Sequence, residues 1–119
     1  MKCKLLIVSN GKSFLIDSVI ADLDPSWITT VCCEYDVKSI GKEKDDADIV
    51  LVFVGELSSD VTKGLVYIKD ICSDDSKSLY LAGYDDDIAK AKEIIPHELV
   101  KKTFFRPFDA KKMVSEIEM

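Results

Sequence analysis

Short apolar runs alternate along the chain with segments whose apolar residues recur at helical spacing. Continuous runs such as LLIV (5–8) and DIVLVFV (48–54) are typical of strands that are buried on both faces. In segment 14–23, apolar residues recur every three or four positions, which predicts an amphipathic helix. The whole pattern predicts five strands (5–8, 27–35, 48–54, 79–82 and 103–105) and five helices (14–23, 36–46, 61–72, 87–95 and 110–117).

Strict alternation of strands and helices restricts the fold class. Parallel strands joined by helices need right-handed crossovers, which place helices on both faces of the sheet. We therefore predict a three-layer α/β/α fold, doubly wound around a five-stranded parallel sheet with five alternating helices. The 119 residues show no repeat or linker, so a single domain over 1–119 is expected. In such sheets ligands bind at the carboxyl ends of the strands, so the residues that follow each strand are the candidates.

Charge and composition narrow the classes of partner. The net charge is −6, and the sixteen basic residues form no stripe, which argues against a nucleic-acid partner for this domain. No apolar run approaches the roughly 18 residues of a membrane helix, and no signal peptide is recognised, so no membrane association is expected. The four cysteines lack the C-x-x-C spacing of a metal site. We expect buried, reduced thiols, no cofactor and a cytoplasmic location.

The stretch LIVSNGKSF (6–14) raises the question of a phosphate loop after the first strand. A P-loop needs a glycine five residues before the glycine of its Gly-Lys pair, and Leu6 occupies that position in mid-strand. The dinucleotide-binding fingerprint also fails, because Gly11 has no companion glycine. Gly11, Lys12 and Ser13 are better explained as the turn into the first helix.

A cysteine nucleophile at the same place is a second possibility. Sugar-phosphotransferase IIB components and low-molecular-weight phosphatases are of similar size and have a cysteine after the first strand. Here Ser9 takes that approximate position, Cys3 lies at the other end of the strand, and no Cys-x5-Arg loop follows. A small flavodoxin-like enzyme or IIB-like phosphocarrier therefore remains only as an alternative.

The ordered set of segments resembles the receiver domain of two-component response regulators over the whole chain. KLLIVSNGKSFLIDSVIADL is similar to the first strand and helix of a receiver, and DIVLVFV to its third strand. LYLAGYDDD is similar to the fourth strand and the loop after it, and FFRPFD to the Lys-Pro-Phe-Asp signature of the fifth. The resemblance implies a CheY-like, flavodoxin-like fold and a role in signal transduction.

Receivers accept a phosphoryl group from a histidine kinase on an aspartate at the end of the third strand. Two acidic residues after the first strand hold Mg²⁺, and a hydroxyl residue and a lysine bind the phosphoryl oxygens. By resemblance, the acidic pair corresponds here to Ser9 and Asn10, the phosphoacceptor to Phe53, the hydroxyl residue to Ala82 and the lysine to Arg106. The aromatic switch position corresponds to Thr103, or to Phe104 if the alignment shifts by one residue.

The side chains at these positions predict that the family's reaction does not occur. Phe53 has no nucleophilic atom, and Ser9 and Asn10 offer Mg²⁺ only neutral oxygens. We therefore predict a degenerate pseudo-receiver that works by protein–protein interaction and is not an enzyme. The alternative, a phosphorylatable receiver in a phosphorelay, needs another acceptor, yet 50–55 contains no Asp or Glu and Glu56 falls in the loop.

The resemblance also implies where a protein partner binds. In receivers the surface formed by the fourth helix, fifth strand and fifth helix contacts partners and mediates dimerisation, so a homodimer is one expectation here. The candidate interface residues in 90–101 and 104–117 are Lys90, Lys101, Phe104, Phe108 and Met113. The phenylalanines at 104, 105 and 108 are otherwise expected to be mostly core, although one could lie at a protein interface. Asp85, Asp86 and Asp87 are expected to start a helix rather than bind a metal.

Overall fold

A computed structural model describes residues 3–9, 14–23, 26, 28–35, 37–43, 47–55, 59–75, 77–105 and 110–118. In these residues the strands are β1 (Cys3–Val8), β2 (Ile28–Cys33), β3 (Ile49–Phe53), β4 (Ser78–Gly83) and β5 (Val100–Phe105). The helices are α1 (Phe14–Asp22), α2 (Val37–Glu43), α3 (Ser59–Asp75), α4 (Asp85–Ile94) and α5 (Ala110–Glu118), and a short 3₁₀ helix (His97–Leu99) precedes β5. The predicted alternation of strands and helices is confirmed.

The strands form one parallel sheet in the order β2-β1-β3-β4-β5. The chain builds outward from β1 to β2 and then crosses back to β3, so the strand order reverses between β1 and β3. Ligands of doubly wound sheets bind at this reversal, outside the carboxyl ends of the strands. The predicted doubly wound α/β fold is confirmed, and the site to examine lies beside the last residues of β1 and β3.

The core has two halves, one on each face of the sheet, because successive residues of a buried strand point to opposite faces. On one face, Leu5, Ile7, Leu51 and Phe53 pack with residues of α1 and α5, including Val19 and Met113. On the other face, the alternate strand residues pack with α2, α3 and α4; this half includes Leu6, Val8, Val50, Val52, Ile40, Leu65, Ile68 and Ile88. Both faces of β3 are therefore apolar, which explains its continuous hydrophobic run.

The ends of several elements differ from their predicted bounds. β5 begins at Val100, three residues before the predicted start, because Lys101 and Lys102 made an exposed edge strand look like a loop. A register irregularity at Leu79/Tyr80 lies beside this segment. β2 ends at Cys33 instead of reaching Tyr35, which turns into the core. The predicted helix end at 44–46 lies outside the described residues.

The cysteines are less buried than expected. None of the four forms a disulfide bond, and Cys72 of α3 is buried as predicted. Cys32 is exposed, and Cys3 and Cys33 are only half-buried. The expectation of buried thiols is thus wrong for Cys32, because β2 is an edge strand of the sheet and its side chains are only partly covered.

Candidate functional site

The structure places three of the predicted site residues at the carboxyl ends of the strands. Ser9 directly follows β1, and its backbone N–H donates to the carbonyl oxygen of Cys33 at 3.0 Å. Phe53 is the last residue of β3 and pairs in register with Ala82 of β4. Asn10 and Arg106, the other two predicted positions, lie outside the described residues. Their assignment to receiver roles remains a prediction.

Phe53 is enclosed in the apolar half-core between the sheet and helices α1 and α5. Its side chain is 8% exposed and belongs to the cluster that contains Leu51 and Ala82. Ser9 is also 8% exposed and is the buried polar residue of the described part of the chain. No carboxylate is present among the described residues that end or directly follow β1, β3 and β4, which are Val8, Ser9, Phe53, Val54, Gly83 and Tyr84.

Tyr35 is a site residue that the sequence reasoning missed. Its hydroxyl donates a hydrogen bond of 2.7 Å to the carbonyl oxygen of Phe53, in a buried position. Its ring packs on Gly64 of α3, where an added Cβ would lie 3.1 Å from the Tyr35 ring. Burial raises the pKa of Tyr35 far above its ordinary value, so the hydroxyl remains a donor. The available signal was a glycine in the middle of a helix, which indicates close packing by a neighbour.

The end of β4 leaves no room for a side chain beside β3. The Ala82 carbonyl accepts a hydrogen bond of 2.7 Å from the Val54 N–H. At Gly83, an added Cβ would lie 2.6 Å from the carbonyl oxygen of Val54, which is closer than real Cβ contacts allow. Ala82 itself is fully buried. The two strand ends are therefore packed backbone against backbone where a receiver has its hydroxyl residue.

The phenylalanines of β5 alternate between the two faces of the sheet. Phe104 is half-buried and packs edge-to-face on Tyr80, with ring centroids 6.1 Å apart. Phe105 is 46% exposed, and the Nζ of Lys92 in α4 lies 6.0 Å from its ring centroid. Phe105 therefore lies outside the core, which the prediction allowed for one of these phenylalanines. Thr103, the predicted switch position, is half-buried and pairs with Leu81.

The predicted interface residues divide into surface, intermediate and core positions. Lys90 and Lys101 are exposed and Phe104 is half-buried, whereas Phe108 lies outside the described residues. Met113 is fully buried under the sheet, so its assignment to an interface is wrong. The strong amphipathic pattern of α5 turns this residue toward the core. The exposed aromatic residues on this side of the molecule are instead Tyr84 and Phe105.

Two other candidate sites lack the required geometry. Cys3 starts β1 and so lies at the edge of the sheet opposite to Ser9, far from where a IIB-type nucleophile would be. Burial, together with the carboxylate of Asp48 and its hydrogen bond, raises the pKa of this thiol, which disfavours the thiolate. Asp85, Asp86 and Asp87 occupy the first turn of α4, as expected for an acidic helix start. In the described ranges, no three His, Cys, Asp or Glu side chains group as metal ligands.

Comparison with known proteins identifies the fold. No protein-family model matches the sequence, and no curated protein matches it. The structure is similar to a response regulator from Thermotoga maritima, with a TM-score of 0.71 and 11% identity over 99% of this chain and 96% of that chain. It is also similar to the chemotaxis response regulator CheY4 of Vibrio cholerae, with a TM-score of 0.70 and 12% identity over 99% of this chain and 98% of that one.

A third similar structure is the adenylate cyclase from Rhodopirellula baltica, with a TM-score of 0.73 and 13% identity over 99% of this chain and 86% of that chain. At such identities a structural likeness establishes the fold alone. The chain thus has the fold of response-regulator receiver domains. Within the described residues, every helix is too short or too polar to cross a bilayer.

Proposed function

We propose that this chain is a degenerate receiver domain that acts in signal transduction by binding a protein partner. On this proposal it is not an enzyme, and it does not accept a phosphoryl group at the position that receivers use. The observation that carries the proposal is Phe53, a buried phenyl ring at the carboxyl end of β3. An acyl phosphate needs a carboxylate oxygen, and this side chain has none.

The surroundings of Phe53 support the same conclusion. Mg²⁺ prefers carboxylate and phosphate oxygens, and of the described residues at this edge only Ser9 offers a side-chain oxygen next to β1. The residues present therefore do not fit the metal ion of a receiver. Ala82, which corresponds by resemblance to the hydroxyl residue of a receiver, has no hydroxyl group and is fully buried. The described side chains packed around Phe53 are apolar, whereas a phosphorylation site clusters charges.

Phosphorylation by a small-molecule donor tests the proposal directly. We expect no phosphoryl group on the wild-type chain after incubation with acetyl phosphate and Mg²⁺, as measured by intact mass. A phosphorylatable receiver treated in parallel is the positive control. A gain of one phosphoryl group that hydrolyses in base would overturn the proposal and favour the phosphorelay alternative, with peptide mapping to locate the acceptor.

The side of the molecule formed by α4 and β5 fits a partner-binding role. We define the α4–β5 surface as Tyr84, Lys90, Lys92, Lys101 and Phe105. Tyr84 is 57% exposed, and its aromatic ring and that of Phe105 are the kind of side chain that anchors protein interfaces. Residues 85–119, counted from the first residue of α4, contain seven basic and eight acidic side chains, whereas 1–84 contain nine and fourteen. This part of an acidic chain is therefore close to neutral, and the three lysines of the α4–β5 surface suit a partner with acidic groups.

A charge placed in the middle of the α4–β5 surface should weaken partner binding. We expect Phe105→Glu to abolish binding to the protein captured by the tagged wild-type domain, or to dissociate a homodimer observed by light scattering. Val66→Glu is the matched control, since Val66 of α3 is 40% exposed and is not one of the residues that define this surface. Equal effects of the two substitutions would show that the partner does not bind there. We place this function in the cytoplasm, in keeping with the four free thiols.

A further inference from the structure

An open groove lies on the other side of the molecule, where α1 crosses the carboxyl ends of β1 and β2. We define the α1–β2 groove by the residues that line it, which are Ser9, Ile16, Asp17, Ile20, Cys32, Cys33 and Glu34. Its volume is about 400 Å³, within the range of sites that bind ligands. β2 is one edge strand of the sheet and β5 is the other. The groove is therefore separate from the α4–β5 surface.

The floor of the groove is apolar. Ile16 and Ile20 are one helical turn apart, so their side chains lie on the same side of α1. Ile16 is part of the core, whereas Ile20 is only half-buried and packs against the edge of the same cluster. An aliphatic group of a ligand in the groove would cover the exposed part of Ile20, and burial of that apolar surface favours binding.

The charged groups that line the groove all have the same sign. Asp17 projects from α1 and Glu34 follows β2, and both are exposed. No lining residue is basic. Among the residues that the structure describes, neither carboxylate has an ion-pair partner, although Glu43 is paired with Lys4 and Glu116 with Lys102. The groove thus combines an aliphatic floor with two carboxylates available to a cation.

We propose that the α1–β2 groove binds a short basic and aliphatic segment of a partner protein. A leucine or isoleucine of that segment would cover Ile16 and Ile20, and a neighbouring lysine or arginine would pair with Asp17 or Glu34. The charge complementarity selects a basic segment, and the open form of the groove suits a stretch of polypeptide that continues beyond it. This proposal does not rest on the proposed function, because the groups that would bind the segment are Ile16, Ile20, Asp17 and Glu34, none of which the proposed function uses.

A designed peptide tests the groove. The ¹⁵N-labelled domain is titrated with a capped peptide made of two Lys-Leu-Leu-Arg repeats, and with the same peptide in which glutamate replaces every basic residue. We expect amide shifts at Ile16, Ile20 and Glu34 with the basic peptide only. Binding should weaken when added salt shortens the Debye length from about 10 Å to about 3 Å. Bound peptide should slow maleimide labelling of Cys32, which lines the groove, but not of Cys3 at the other edge of the sheet.

Charge reversal identifies the residues involved. We expect the double variant Asp17→Lys/Glu34→Lys to bind the basic peptide about tenfold more weakly than wild type. The control is Asp22→Lys/Asp70→Lys, which changes the net charge equally at two exposed residues outside the groove and should bind within about twofold of wild type. All four positions are exposed, so each variant should stay folded, which its circular dichroism spectrum checks.

Several outcomes would overturn the proposal. It fails if the glutamate peptide binds as well as the basic one, or if the two double variants weaken binding equally. It also fails if the shifts map to Tyr84 and Phe105 instead of the groove. Binding of 1,4-diaminobutane as tightly as the peptide would make the groove a site for small cations. Loss of a wild-type dimer in Asp17→Lys/Glu34→Lys alone would make its occupant a second copy of this chain.

Discussion

Replacing Phe53 with aspartate should destabilise the domain by about 3–5 kcal/mol, a cost typical of removing a buried phenyl ring or of leaving a buried charge unpaired. The substitution would give β3 the residue type that receivers phosphorylate, but into surroundings built for a ring. The ring is 8% exposed among Leu51, Ala82 and the residues of α1 and α5 that face them. The described neighbours offer the new carboxylate no cation, so its charge would be poorly compensated.

The stability of Phe53→Asp should depend on pH, because the introduced carboxyl is buried in the folded state. Burial should raise the pKa of the introduced carboxyl in the folded state above its unfolded value of about 3.9. The folded variant then binds more protons than the unfolded chain, so its stability relative to wild type should fall as pH rises above about 4. Urea unfolding followed by circular dichroism at several pH values measures this dependence.

A matched control separates the buried site from the chemistry of the substitution. Val66→Asp introduces the same residue on the exposed side of α3, where we expect a loss of less than about 1 kcal/mol with no comparable pH dependence. Suppose that Phe53→Asp proved as stable as Val66→Asp and accepted a phosphoryl group from acetyl phosphate. The site at the end of β3 would then be a working receiver site in which only the acceptor aspartate is replaced. The proposal of a degenerate domain would then need a different basis.

The sequence predicted the architecture because its signals were local. The run from Ile49 to Phe53 has no polar residue to expose, and the apolar positions of α1 recur at helical spacing. The absence of a carboxylate at Phe53 could likewise be read by position along the chain. These features need no knowledge of how distant segments pack, so the fold and the lack of a carboxylate at the end of β3 could be predicted.

Which side chains reach the surface was less predictable, because it depends on long-range packing. Phe104 and Phe105 are adjacent in sequence, yet one packs on Tyr80 and the other lies in solvent beside Lys92. Their faces follow from the pairing of β5 with β4, including the irregularity at Leu79/Tyr80. Tyr35 was missed for the same reason, since its partner Phe53 is eighteen residues away along the chain. The mid-helix Gly64 indicates close packing by a neighbour but does not identify Tyr35 as that neighbour.

Gly83 gives a second prediction of large effect, because it is the point at which β4 passes closest to β3. A Cβ at this residue would lie 2.6 Å from the carbonyl oxygen of Val54, which belongs to the backbone and cannot rotate away as a side chain would. The N–H of the same Val54 is held by the Ala82 carbonyl at 2.7 Å. An alanine could therefore be accommodated only if the two strand ends moved apart and loosened that hydrogen bond.

We expect Gly83→Ala to lower the free energy of unfolding by about 1–3 kcal/mol, as overpacking does in other cores. Hydrogen exchange at the Val54 amide should also become faster. Gly55 is the matched control, because an added Cβ there has no heavy atom within 4 Å. Gly55→Ala should be neutral, or stabilising by about 0.4–1 kcal/mol through the unfolded chain. Equal stabilities for the two variants would mean that the strand ends are loosely packed.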